Sequence, residues 1–384
     1  MSQSRKVLTA LRNKASHSAY LVPWSRPEIG QTEIHEVLKV MKSGWVSQGH
    51  VTEEFERALG KHCKARYATA VNNGTSALLC ALLAHRAKPG DRVIVPDYTH
   101  VATANVPKLL GCKIYFVDID PDTFNMDYDY LETVAKSCRP KFVIFVDVAG
   151  LPNDFEVLSE LSKKYGFTLI EDAAESLGAE YNGRKVGSLG CTTVVSFHAA
   201  KQVTTIEGGA VLTEEPEIAR RCLLIRNHGG AGQTYISQSV GMNLRTTDIQ
   251  SALGLAQLKK LGGNISLRNR IVNIYREQLS DLFKYQEIPK YASRHAHMMF
   301  VAVSGSNQFR NGLRKHLEKR KIETRVPWPP LHRQEAFRRA DNRFPHSTDL
   351  YEKSISLPLY NAMRNEEAER VVREVLGFKR QGRL

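Results

Sequence analysis

The sequence predicts an α/β fold, with a large domain built on a mostly parallel mixed sheet flanked by helices and a smaller C-terminal α+β domain. Three observations carry this expectation. Between about 67 and 215, short apolar runs alternate with amphipathic helical patterns, which calls for crossover connections between parallel strands. The runs are rich in Val, Ile and Phe and apolar on both faces, as strands covered on two sides must be. After about 245 the pattern changes to long helical stretches.

In order, VIVPDYT (93–99) reads as a strand, TANVPKLLGC (103–112) as a helix and KIYFVDI (113–119) as a strand. YDYLETVAKSC (128–138) is helical, KFVIFVDVAG (141–150) extended, NDFEVLSELSKKYG (153–166) helical and FTLIEDAA (167–174) extended. CTTVVSF (191–197) and AVLT (210–213) read as strands on either side of a polar stretch. The long segment 247–282 is helical, HMMFVAVS (297–304) a strand and NQFRNGLRKHLEKRK (307–321) a basic helix. NEEAERVVREVLGF (365–378) closes the chain as a helix with an acidic first turn. These patterns place a basic extension at 1–20, the large domain at 21–262 and the small domain at 263–384.

At 384 residues, the chain exceeds the usual size of a single core. No apolar run approaches the ~18 residues of a membrane span, and the first twenty residues lack the pattern of a secretory signal. Neither a membrane partner nor export is expected. The six cysteines are scattered without metal-ligand spacing, which suits reduced thiols in a cytoplasmic protein.

The net charge of +14 is local. Residues 1–20 hold four basic and no acidic groups, 309–345 hold eleven basic against four acidic, and 378–384 hold three basic; together these account for the whole excess. Solvated basic segments and an anion-steering surface both fit this distribution. Without an RNP sequence, zinc-finger spacing or a basic heptad array, no nucleic-acid partner is expected.

Ligands of open α/β sheets gather beyond the carboxyl ends of the strands, and three stretches put polar residues there. In VNNGTSALLCALLA (71–84), Gly74, Thr75 and Ser76 open an apolar helix; free N–H groups and hydroxyls make a phosphate cradle, although an ordinary helix cap has the same look. In TLIEDAAESLGA (168–179), Glu171 and Asp172 end a buried-type strand, where a carboxylate must be solvated, capped or paired with a cation such as a protonated ring nitrogen. In SFHAAKQVTTIEGG (196–209), Lys201 follows a strand; a lysine there is either a solvated charge or an amine able to attack a carbonyl. Jointly the three match the phosphate, pyridine nitrogen and aldehyde of pyridoxal 5′-phosphate. Nucleotide motifs compete poorly: there is no G-x-x-x-x-G-K-[ST], and GGAGQT (229–234) does not follow a strand.

From about Val22 to Leu376 the chain resembles the DegT/StrS family of pyridoxal-phosphate-dependent sugar aminotransferases, of fold type I. The resemblance rests on ordered motifs, among them RPEIGQTEIHEVLKVMKSGWVSQGHVTEEFE, NNGTSALLCALLA, VPDYTHVATANV, EDAAESLGAEYNGRKVGSLG, SFHAAKQVTTIEGGAV, GMNLRTTDIQSALGLAQL and VPWPPLH. It implies that Lys201 bonds covalently to the cofactor and shuttles the proton, that Asp172 pairs with the pyridine nitrogen and that Glu175 packs on or contacts the cofactor. It further implies phosphate ligands at Thr75, Ser76 and Ser196, with Asn243 reaching the phosphate of a neighbouring subunit, hence a homodimer with shared active sites.

The chain departs from the family pattern at two positions. His100 stands where an aromatic ring usually packs on the cofactor, and an imidazole titrates near neutrality. Ile206 replaces a frequent glycine, which should stiffen the turn behind Lys201.

Family dehydratases carry a histidine at the place of Lys201, so lysine here implies transamination. L-Glutamate is the implied donor, and SGWVSQG with EDAAESLGA resembles the perosamine-synthase type, which acts on nucleotide-linked 4-keto-6-deoxy sugars. A 3-keto sugar, a keto-cyclitol, or a non-catalytic regulator on the same fold are the alternatives. A diphosphate-linked sugar needs a cationic contact, for which Arg325 and His332, with the nearby Arg333, are the candidates, a solvated surface being the other reading.

Overall fold

The computed structural model describes residues 20–230, 236–338 and 343–380. Apart from Tyr20, the expected basic extension lies outside the described residues, as do 231–234 of GGAGQT.

Among the described residues the elements begin with α1 (Gln31–Ser43), α2 (His50–Cys63), β1 (Tyr67–Val71) and α3 (Gly74–Ala84). There follow β2 (Arg92–Pro96), α4 (Ala102–Leu109), β3 (Lys113–Val117), α5 (Tyr128–Cys138), β4 (Phe142–Val146), α6 (Phe155–Tyr165) and β5 (Thr168–Asp172). A small ribbon of β6 (Glu180–Tyr181) and β7 (Arg184–Lys185) precedes β8 (Thr192–Ser196), β9 (Gly209–Thr213) and α7 (Pro216–Arg226). The last third comprises α8 (Asp248–Leu279), β10 (Lys284–Tyr285), β11 (Phe300–Val303), α9 (Asn307–Lys319), α10 (Pro345–Lys353), β12 (Ser354–Leu357) and α11 (Asn365–Arg380).

Seven strands form one sheet in the order β1-β9-β8-β5-β4-β2-β3. Its strands share one direction except β9, which runs antiparallel to both neighbours. The exception has a local cause: β8 and β9 are joined directly by the loop 197–208, and only antiparallel neighbours can be joined without a crossover. That loop carries Lys201. Every residue of β4 and β9 is buried, in keeping with apolar runs covered on both faces.

The small domain is built on the antiparallel sheet β10-β11-β12, closed by α9 and α11 around Phe300, Leu313, Ile355 and Val371. The boundary expected near 262 falls inside α8, which runs unbroken for 32 residues. Leu258, Leu261 and Ile265 of this helix pack in the large domain, whereas Ile271, Tyr275 and Leu279 pack in the small one. Its start is fixed by a capping box between Thr247 and Gln250.

Residues 21–24 also depart from the expected division. Val22 bridges to Ile322 and packs in the small-domain core, and the Trp24 indole donates to Ser356 Oγ at 2.8 Å. The strand expected over 297–304 is trimmed to Phe300–Val303, because Ala296 and Met298 donate instead to Gly150 and Ala149 of the large domain at 3.0 and 2.8 Å.

Ile206 takes a positive φ of 72° and is 60% exposed. A left-handed backbone costs an L-residue about 1–2 kcal/mol, part of which glycine returns as unfolded-state entropy. Ile206→Gly is therefore expected to stabilise the protein, by up to about 1 kcal/mol, read as a higher midpoint of thermal unfolding; a lower midpoint would contradict the strain.

Candidate active site

The carboxyl ends of β1, β2, β4, β5 and β8 converge on a cavity of about 770 Å³, whose far wall is supplied by Met298, Met299 and residues 325–328. Gly74, Thr75, Ser76, His100, Asp172, Glu175, Ser196, Lys201 and Arg325, all singled out in the sequence, line it.

At the end of β1 the chain turns into α3 with Asn73 as its cap, the Asn73 Oδ1 accepting from Ser76 N at 2.8 Å. The N–H groups of Gly74 and Thr75 have no acceptor within the helix, and both residues line the cavity. A Cβ on Gly74 would come within 3.0 Å of Ser196 Cβ and 3.2 Å of Ser196 Oγ, so a side chain here would crowd the end of β8. Gly209 is tighter still, since its Cβ would lie 2.6 Å from the Asn73 carbonyl. The result is a concave group of amides and hydroxyls at a helix N-terminus, suited to a phosphate.

Asp172 ends β5 and is buried. Its Oδ2 accepts from Thr103 Oγ1 at 2.8 Å and its Oδ1 from Ala174 N at 3.3 Å, while Thr103 is steadied by Thr99 at 2.9 Å. Burial raises the Asp172 carboxyl above the usual Asp range, against the opposing pull of Thr103, the Ala174 N–H and the Lys201 charge. A carboxylate so placed favours a cation in the cavity, which a protonated ring nitrogen supplies. Glu171, its neighbour, takes a different route from those expected. Fully buried, it accepts from Thr193 Oγ1 at 2.6 Å, and burial together with Asp147 pushes its carboxyl well above the usual Glu range.

Lys201 lies in the β8–β9 loop with its side chain 13% exposed and its Nζ 3.2 Å from Glu175 Oε1. Glu175 is in turn held by the Ala149 N–H at 2.9 Å on Oε2. Burial raises the Glu175 carboxyl, with the Lys201 charge and the Ala149 N–H opposing. Glu175 thus acts as the counter-ion that aims the lysine.

His100 faces Trp328 edge-on at 6.5 Å, and its Nδ1 accepts from Ala102 N at 3.3 Å. Desolvation, then the Lys201 charge, lower this imidazole, so the near-neutral titration expected of it moves to more acid pH.

Besides Glu171, three expected residues do not line the cavity. Arg333 is exposed and donates to Glu352 Oε1 at 2.7 Å. His332 is buried with its Nδ1 2.6 Å from Asp97 Oδ2; its polar edge is spent on the protein and does not face substrate. Asn243 is exposed, bridged to Asn227, and its Oδ1 accepts from Arg245 N at 3.3 Å. Conversely, sequence reasoning passed over Thr103, His198 and the pair Trp24 and Trp328. The tryptophans left a signal in their rarity, as two of only three in the chain meet at this cavity.

The groups facing the cavity fit one cofactor, pyridoxal 5′-phosphate: the crowded Gly74–Ser196 cradle suits a phosphate, the desolvated Asp172 a protonated ring nitrogen and Lys201 an aldehyde. A mixed sheet with such a site at its carboxyl edge defines a pyridoxal-phosphate-dependent transaminase. The model of the DegT/DnrJ/EryC1/StrS aminotransferase family matches residues 27–376, and the chain belongs to that family. It is 33% identical over 348 residues to a GDP-perosamine synthase of Escherichia coli O157:H7, covering 90% of this chain and 95% of the relative. A GDP-perosamine synthase of Caulobacter vibrioides is 36% identical over 312 residues, with 80% and 84% covered. Among solved structures, PseC of Helicobacter pylori, an aminotransferase involved in the biosynthesis of pseudoaminic acid, superimposes with a TM-score of 0.87 at 29% identity, covering 94% of this chain and 99% of PseC.

Proposed function

We infer that the protein transfers the amino group of L-glutamate to a nucleotide-linked keto-sugar, with a 4-keto-6-deoxy sugar as the acceptor. The observation that carries this is Lys201 itself, a lysine where the family's dehydratases have histidine, held 3.2 Å from Glu175 in a cavity roomy enough for a sugar. The similarity to GDP-perosamine synthases supports the choice of acceptor.

When bound, pyridoxal phosphate supplies the electron sink that lets an amino acid lose its α-proton. The chain's residues do the rest. Thr75, Ser76 and Ser196 with the α3 N-terminus hold the phosphate, and Asp172 keeps a proton on the ring nitrogen. Lys201 Nζ takes the donor's α-proton in the first half-reaction and delivers one to the acceptor in the second. His100 flanks the ring. Asn243, exposed in its own chain, serves the phosphate of a second copy, so the working unit is a homodimer. The free cysteines, five of them buried, support a cytoplasmic setting.

A panel of nucleotide-linked 4-keto and 3-keto sugars with L-glutamate tests the assignment. Amination at C4, identified by mass and NMR, is expected; turnover of 3-keto sugars alone would overturn it.

Arg325 carries the nucleotide's charge in this reading. Its side chain is 51% exposed at the cavity, steadied by Glu323, and lies 5.9 Å from the Trp24 ring. A charged hydrogen bond contributes about 1.5–3 kcal/mol, so Arg325→Ala should raise the KM for the nucleotide-sugar roughly 10- to 100-fold. An unchanged KM for every nucleotide-sugar would remove this role.

A further inference from the structure

We propose that Asp97 and His332 are positioning residues for the sugar substrate, pinning a strap of residues 325–332 that forms one wall of the cavity. The inference rests on the nucleotide-sugar reading above.

The strap crosses from the small sheet to the large one and is tied at its two ends. At the front, Arg325 and Ser356 of β12 exchange backbone hydrogen bonds of 3.1 and 2.8 Å. At the back, Asp97, the first residue beyond β2, gathers three bonds from one turn. Its carbonyl accepts from Leu331 N at 2.8 Å, its Oδ1 from His332 N at 2.9 Å, and its Oδ2 pairs with His332 Nδ1 at 2.6 Å. Between the ties stand Pro327, Pro329 and Pro330, which have no N–H to give. Proline stiffens the strap without fastening it, so its placement depends on the ends.

The pin is built to hold one position. Asp97 is 0% and His332 6% exposed, and the imidazole leans on Phe344 with ring centres 5.2 Å apart. A carboxylate buried this deeply is tolerated only where its lone pairs are filled, and the 331–332 turn fills them.

Displacing the pin displaces the wall. Trp328, four residues before His332, packs on Tyr98 at 5.7 Å and meets His100 at 6.5 Å, which follow Asp97 by one and three residues. Arg325, Val326, Pro327 and Trp328 all face the cavity, whereas neither Asp97 nor His332 does. The pair therefore acts on substrate through the strap. Asp172 ends β5, Glu175 stands in the turn after it and Lys201 in the β8–β9 loop, so the reaction with the small donor should not feel the pin.

The test uses the full-length protein loaded with pyridoxal phosphate. In His332→Phe, amide exchange across 325–334 should quicken at least tenfold and the KM for the accepted nucleotide-sugar rise at least tenfold. The single-turnover rate with L-glutamate, followed by cofactor absorbance, should stay within about twofold. His332→Asn, whose Nδ2 can donate where Nδ1 stood, should recover most of both losses. Pro329→Gly, at an exposed position, loosens the strap without touching the pair and should move both readouts the same way, which decides the matter if His332→Phe does not fold. Unchanged exchange across the strap, or equal loss in both half-reactions, would overturn the proposal. Should no nucleotide-sugar be turned over by the wild type, the function reading fails, and the exchange result still decides for or against the pin.

Discussion

Lys201→Ala is expected to end multiple turnover while leaving the fold in place. The side chain sits in the β8–β9 loop, outside the apolar clusters, and among the described residues its one ion pair is with Glu175. Losing it leaves a buried Glu175 without its cation; burial already raises that carboxyl, so it can take up a proton in place of remaining charged. The folded state then favours the protonated acid, so the variant should be less stable than wild type near neutral pH, with the loss shrinking as pH falls. Catalysis loses both the covalent anchor and the proton carrier. A positioned acid-base group alone contributes about 10²–10⁴-fold, and the covalent step adds to that, so kcat should fall by at least about 10⁴. Quench-flow and steady-state assays with L-glutamate check this. Multiple turnovers at more than a hundredth of the wild-type rate would remove Lys201 from its role.

Asp172→Asn separates two effects of opposite sign. Asparagine keeps the shape that Thr103 and the Ala174 N–H surround but removes the charge. Removing one partner of a buried ion pair costs about 3–5 kcal/mol, which at 1.36 kcal/mol per decade is a loss of roughly 10²–10⁴ in kcat. Without cofactor the sign reverses. The folded-state pKa of Asp172 is raised by burial, so the folded state prefers the protonated acid. Its contribution is favourable below the usual Asp range and is lost as pH rises through the raised value. Cofactor-free Asp172→Asn should therefore be more stable than wild type at pH 7, with the gain vanishing in acid. Thermal unfolding of both proteins at pH 4 and pH 7 reads this directly. A variant less stable than wild type at pH 7 and equally fast in turnover would contradict both halves.

Much of this site was legible because it sits where parallel strands end. The apolar runs placed β2, β4, β5 and β8 to within a few residues, and the polar residues just beyond them, Gly74 to Ser76, Asp172 and Lys201, meet in one cavity. Local chemistry sufficed there, since a strand followed by a cap announces its own direction. Contacts between distant segments left no such trace. Asp97 and His332 are 235 residues apart, and neither position alone tells a substrate ligand from a buried pair. The same holds for Trp24, brought to the cavity by its bond to Ser356, and for Thr103, whose hydroxyl matters only once the start of α4 folds against β5. The domain boundary was obscured for another reason: α8 serves two cores with one uninterrupted helical pattern, so no change in composition marks the passage. Ile206 stood out as a missing glycine, and its positive φ gives that oddity a physical cost.

The central claim is that Lys201 and Asp172 operate pyridoxal phosphate for transamination. The absorbance spectrum of the purified protein loaded with pyridoxal phosphate tests it most directly, before and after adding L-glutamate. The account predicts a yellow protein whose visible band bleaches with formation of 2-oxoglutarate, and no such bleaching through repeated cycles in Lys201→Ala. A protein that gains no visible band with added cofactor, or a band that L-glutamate leaves unchanged, would contradict it.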